Sequence, residues 1–248
     1  MLKIGLIIRA INVTLIIGAE GKDFVVLAAD SKGTFLEDGS RMESITEEKL
    51  IQLTDYSCVL IAGDAEIGVQ LIEDFKEKHR FSKNLGISKV VLLFRDFCKK
   101  EMGHITDTIL PGHPAYPDIV FLVGGVDKKG KGCVPRLRIL RSSTLFFAGR
   151  HRDKVAEGVP LIARYILSKE YNRNQSQEAM GFLVAKAMRE TISINAEVGG
   201  KIRMAIVRNN GVQVFNDNVV KKYMDGPEED ERLKLKAERE ELEKLIKE

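Results

Sequence analysis

The sequence predicts an α+β protein built as a four-layer αββα sandwich of antiparallel sheets, and three observations predict it. Strand-like runs come in consecutive groups joined by short turn signals, as in VTLIIGA and FVVLAAD around Glu20-Gly21-Lys22-Asp23. Apolar residues at helical spacing come in pairs of segments rather than singly between strands. The resulting order of strands, two helices, strands, two helices, strands suits antiparallel sheets covered by helical layers and not a βαβ parallel sheet.

Taken in order, residues 13–19 and 24–30 read as a hairpin, and KLIQL (49–53) with SCVLIAG (57–63) as a second one across Thr54-Asp55-Tyr56. Ile67, Leu71, Ile72 and Phe75, then Ile87, Val90, Val91, Phe94 and Phe97, recur with the period of two amphipathic helices. A loop carrying Pro111, Pro114 and Pro117 follows, then the apolar strand IVFLVGGVD (119–127). LRIL (137–140) and TLFFAG (144–149) are expected to extend the sheet, with helices near 153–169 and 176–193. KIRMAIVR and GVQVF close on a hairpin around Asn209-Asn210-Gly211.

The chain of 248 residues is expected to divide into a strand-like leader (1–13), one domain (14–224) and a charged tail (225–248). Residues 228–248 hold fifteen charged residues, which suits a solvated helix. A net charge of +3 gives no large field for nucleic acid or an anionic membrane, so neither partner is expected. No apolar run reaches the roughly 18 residues of a bilayer span, and Arg9, Asn12 and Thr14 interrupt the apolar start. Cys58, Cys98 and Cys133 lie in or beside apolar runs, which suits reduced core thiols and a cytoplasmic setting. His79, His104, His113 and His151 show no metal-ligand spacing, so no metal or other cofactor is expected.

VTLIIGAEGKDFVVLAADSKGT, then EEKLIQLTDYSCVLIAGDAEIGVQLI, GGVD and VGGKIRMAIV, together resemble the β subunits of proteasomes of archaeal type, in the N-terminal-nucleophile hydrolase superfamily. The resemblance covers nearly all of residues 13–215. It implies that Thr14 is the nucleophile, that Asp30 and Lys49 are its acidic and basic partners, and that the amide of Gly63 helps form an oxyanion hole. Lys49 reaches the family position after an apparent three-residue insertion within 35–47. It further implies a ring homo-oligomer, one that can also take α-type subunits, acting on unfolded protein or peptide. The α-type subunits themselves carry a helical N-terminal extension, whereas the thirteen residues before Thr14 are strand-like; the bacterial relatives share the same motifs.

A threonine hydroxyl is a poor nucleophile at neutral pH and needs a base and a nearby cation. Removal of residues 1–13 would free an α-amine on Thr14, with a reference pKa of about 8, to take the hydroxyl proton. Lys49 would tune that transfer and Asp30 would hold the lysine charged. Singly, each residue has an ordinary use: a β-branched strand residue, a strand end, a surface lysine, a turn glycine. Their joint occurrence at the spacing that the resemblance implies is what suggests chemistry.

The positions that the resemblance aligns with supporting serine and aspartate side chains carry Arg150, Asn195 and Val198, and the β-branched Val13 precedes Thr14 where glycine is usual. Three functions are therefore carried forward: a threonine endopeptidase, a ring subunit without activity, and a transpeptidase that passes the acyl group to an amine. The resemblance also implies that Thr34, Lys49 and residues near Cys58 line the substrate pocket.

Overall fold

The computed structural model describes residues 14–37, 40–44, 48–80, 84–106, 109, 111, 113, 116–130, 132–147 and 153–225. The leader 1–13, Arg150, His151 and the tail beyond residue 225 lie outside the described residues, as does the side chain of Thr34.

Six strands come first: β1 (Leu15–Glu20), β2 (Val25–Ala29), β3 (Gly33–Glu37), β4 (Ser40–Ser44), β5 (Leu50–Thr54) and β6 (Ser57–Gly63). Helices α1 (Ala65–Lys78) and α2 (Ile87–Ile105) lead to β7 (Ile119–Lys129), β8 (Gly132–Arg141) and β9 (Lys154–Gly158). Helices α3 (Leu161–Glu170) and α4 (Gln177–Ile194), strands β10 (Arg203–Arg208) and β11 (Gly211–Val214), and helix α5 (Asp217–Asp225) complete the described chain.

Alternation along the strands builds the layers. In β1, Leu15, Ile17 and Ala19 face α3 and α4, where they meet Ala163, Leu167, Val184 and Met188. Ile16 faces the other way and joins Leu27, Leu60, Leu122, Leu137 and Ala205 between the two sheets. The far face of the second sheet gives Val59, Ile61, Phe121 and Val123 to a cluster with Ile72, Phe75, Val90 and Phe94 of α1 and α2. The sheets are antiparallel, in the orders β11-β10-β2-β1-β9 and β5-β6-β7-β8. The expected αββα sandwich is the fold observed.

Four local expectations are corrected. The opening is not four strands but six, because β3 and β4 pair as a separate hairpin whose strands flank Asp38-Gly39. Residues 144–147, the described part of TLFFAG, do not extend the sheet: β8 stops at Arg141, a 3₁₀ turn follows over Ser142–Thr144, and Leu145 and Phe146 take φ of 50° and 56°. The buried Ser142 hydroxyl donates to Pro117 O (2.7 Å) and accepts from Ile119 N (2.9 Å), which ties this turn to the start of β7 instead. The segment 154–158 is strand β9 rather than the start of a helix, since Val155 and Ala156 alternate between inter-sheet and helix-side clusters and Pro160 delays α3 to Leu161. Helix α5 is a further addition: its run is short, buries only Val220 fully and packs Val219, Tyr223 and Met224 partly buried against the same core. Of the three thiols, Cys58 and Cys98 are buried while Cys133 is only half-buried, and all three are free.

The GGVD aspartate closes the N-terminus of α2. Asp127 accepts from Ser88 N (3.0 Å) and Ser88 Oγ (2.5 Å) and pairs with Arg136 Nε (3.0 Å), giving the helix the carboxylate that its unpaired amides and dipole favour.

At the end of β1 away from Thr14, Glu20 is fully buried with Arg173 Nη2 3.5 Å from its Oε2. Burial pushes its carboxyl up to about 7, against the pull of the Leu137 amide and the Arg173 guanidinium. The folded chain thus keeps a proton that the unfolded chain, near 4.5, releases, and stability should fall as pH rises between those values and level off above them. Glu20→Gln is expected to flatten that slope, read as urea midpoints from pH 5 to 8; an equally steep slope in the variant would contradict it.

Candidate active site

Thr14 precedes β1 on the inter-sheet side, sharing the phase of Ile16, and its hydroxyl meets a lysine from the opposite sheet. Lys49 Nζ donates to Thr14 Oγ1 at 2.8 Å. The same ammonium lies 3.4 Å from Asp30 Oδ1 and donates to the carbonyl of Lys32. Thr14, Asp30 and Lys49 are 2%, 0% and 1% exposed, so this contact is one of the strong, weakly screened kind.

Asp30 is held by backbone on both oxygens. Leu15 N donates to Oδ1 (3.0 Å) and Gly199 N to Oδ2 (3.2 Å), while Asp30 N donates to Leu15 O (3.2 Å). Burial pushes the carboxyl above its ordinary range, opposed by the Lys49 ammonium and by these two amides. An ammonium that donates to Oγ1 favours an alkoxide there; it does not itself accept the hydroxyl proton, so a base has to come from elsewhere.

Gly63 ends β6 with φ of +88°, and a Cβ there would lie 1.9 Å from Asp118 O. Ile61 N donates to Lys49 O (3.0 Å), and strand alternation directs the Gly63 N–H to the same edge of β6, the one on which Lys49 lies. Gly63→Ala is expected to cost at least about 2 kcal/mol of stability, from the φ and the close carbonyl together, measured by denaturant unfolding. An unchanged midpoint would contradict this account of the strand end.

The structure thus brings Thr14, Asp30 and Lys49 into direct contact and sets Gly63 at the adjoining strand end. Other contributors had not been singled out. Gly158, with φ of +90°, comes so close that a Cβ would lie 1.7 Å from Thr14 O, and Val159 N donates to that oxygen at 2.9 Å. The turn after α4 clasps the residues beyond Asp30: Gly199 O accepts from Ser31 N (3.3 Å) and Lys32 N (3.1 Å), Lys201 N donates to Ser31 Oγ (2.7 Å), and Lys32 Nζ donates to Ala196 O (2.6 Å). The tandem glycines of VGGK are the sequence signal for that turn, and Gly200 there has φ of +74°.

Asn195 and Val198 have structural uses. Asn195 Oδ1 accepts from Glu197 N at 2.9 Å in a turn after α4, and Val198 is buried in the helix-side core. Among the described residues no group of three or more His, Cys, Asp or Glu is arranged to hold a metal ion, and no helix is long and apolar enough to cross a membrane.

A family model described as "Proteasome subunit" matches residues 12–207. The chain is 23% identical to a protein named "Proteasome subunit beta" from Methanocaldococcus sp. (strain FS406-22), across 86% of this chain and 89% of that protein. It is 24% identical to "Proteasome subunit beta 2" of Nitrosopumilus maritimus, across 84% and 92%, and 26% identical to "Proteasome subunit beta 2" of Ignicoccus hospitalis, across 82% and 89%. With the family model spanning most of the chain and β subunits of archaea among its relatives, the chain belongs to the proteasome subunit family, as an archaeal-like β-type member.

Proposed function

We propose that the chain is a threonine endopeptidase that cleaves peptide bonds of unfolded protein or peptide through an acyl-enzyme on Thr14, inside a ring assembly in the cytoplasm. The observation that carries this reading is the 2.8 Å contact from Lys49 Nζ to Thr14 Oγ1, backed by the buried Asp30. After removal of residues 1–13, the α-amine of Thr14 takes the proton from Oγ1 and Oγ1 attacks the substrate carbonyl. The Lys49 ammonium favours the developing alkoxide, and the amide of Gly63 donates to the oxyanion, a contribution of about 3 kcal/mol for a typical donor. Collapse expels the leaving amine, which takes the proton back from the α-amine; water then hydrolyses the ester. In this reading residues 14–224 form the working domain, residues 225–248 are an appended charged tail, and the ring is built from copies of this chain, with α-type subunits stacked on it.

A second reading keeps the fold and ring position without the chemistry. It is favoured by Val198, whose side chain is buried in the core and offers no hydroxyl, and by Asn195, whose Oδ1 accepts from a local amide. Intact mass of the purified protein, alone and mixed with an α-type partner, separates the two. Endopeptidase action predicts loss of residues 1–13; retention of the leader in every molecule contradicts it and leaves the scaffold.

A further inference from the structure

Strand β9 is five residues long and, among the described residues, lies at the edge of its sheet and pairs with β1 alone. Short edge strands are the elements most prone to local opening. The C-terminal end of this one nonetheless holds the carbonyl of Thr14, through Val159 N. What fixes that end is a buried carboxylate with an arginine on either side. Glu157 is 7% exposed and faces the inter-sheet space, in register with Ile16. Its Oε2 meets Arg141 Nη2 at 2.7 Å and its Oε1 meets Arg164 Nη2 at 3.2 Å.

The two arginines come from different layers. Arg141 ends β8, the edge strand of the opposite sheet, in the same phase as the inter-sheet residues Leu137 and Ile139. Arg164 stands on α3 and also donates from Nε to Ala156 O at 3.0 Å, so it grips backbone and side chain of adjacent β9 residues. A guanidinium fork suits such a two-point hold, which an ammonium would not give. Immediately after Glu157 the chain takes the left-handed φ of Gly158 that brings Val159 N to Thr14. The other end of β9 is tied separately, by Glu20 N donating to Asp153 O at 2.8 Å.

We propose that Glu157, clamped between Arg141 and Arg164, is a positioning residue that holds the end of β9 against the main chain of Thr14 and so sets the Thr14 hydroxyl against Lys49. Its consequence for turnover rests on Thr14 being the nucleophile; its consequence for the backbone does not. Reactive groups displaced by about 1 Å lose on the order of 10²-fold in rate, so a loosened strand end should lower kcat while leaving KM in place.

The test is Glu157→Gln in the assembled protein, read by amide hydrogen exchange and by peptide hydrolysis. Exchange at Val159 is expected to accelerate about tenfold or more while Val123, inside the other sheet, is unchanged; kcat should fall about tenfold with KM unaltered. Unchanged exchange at Val159 overturns the proposal, as does a tenfold faster exchange at Val123, which would make the effect global. If the unsubstituted protein shows no turnover, the endopeptidase reading fails while the exchange result still decides this one. Should Glu157→Gln not fold, Arg164→Met, which leaves the Arg141 pair, is expected to accelerate Val159 exchange to a smaller degree, and no acceleration there overturns the proposal.

Discussion

Thr14→Ala is expected to lower kcat/KM for peptide hydrolysis by at least about 10³-fold without dissociating the assembly. The methyl group that replaces the hydroxyl cannot form an acyl-enzyme. The Lys49 ammonium loses one acceptor but keeps Asp30 and the carbonyl of Lys32, so the stability cost should be only about 1 kcal/mol. Thr14→Ser keeps the oxygen and should retain part of the rate. Full activity in the alanine variant, measured on the purified assembly, would remove Thr14 from the chemistry and favour the scaffold reading.

Asp30→Ala should have the largest effect on folding. It strips the acceptor from Leu15 N and Gly199 N and leaves Lys49 without its carboxylate in a site that is 1% exposed. Removing one partner of a buried ion pair typically costs about 3 to 5 kcal/mol. Activity should fall with it, because the turn after α4 and the start of β1 are both fastened to this carboxylate. Asp30→Asn, which keeps one acceptor oxygen, should lose less stability than alanine. Denaturant midpoints of the three proteins give that order, and equal midpoints for Asp30→Ala and the parent would contradict the account.

The sandwich was legible because its periodicities are strong. Strand groups such as VTLIIGA and SCVLIAG and the paired helical patterns of α1 and α2 carry their own phase. What the sequence hid were elements decided by tertiary contact. TLFFAG has strand composition, yet Ser142 anchors it as a turn through hydrogen bonds to residues 117 and 119. KVAEG is too short for its alternation to stand out, and only pairing with β1 makes it a strand. Within the candidate site, Thr14, Asp30 and Lys49 were reached through the family resemblance of the motifs that hold them, and the structure sets Lys49 Nζ against Thr14 Oγ1 and Asp30 Oδ1. Gly158 and the carbonyl of Lys32 were not, because they meet Thr14 and Lys49 through backbone atoms, and a backbone donor or acceptor leaves no residue-type signature.

The contact between Lys49 and Thr14 is the centre of the account, and acyl transfer is the measurement that addresses it most directly. The purified assembly would be treated with an activated peptidyl ester, quenched, digested and mapped by mass. A single acyl adduct on Thr14, borne by a peptide whose first residue is Thr14, is the expected result, with none in Lys49→Met. Acylation elsewhere, or an unmodified Thr14 still joined to Val13 while peptide is being hydrolysed, would contradict it.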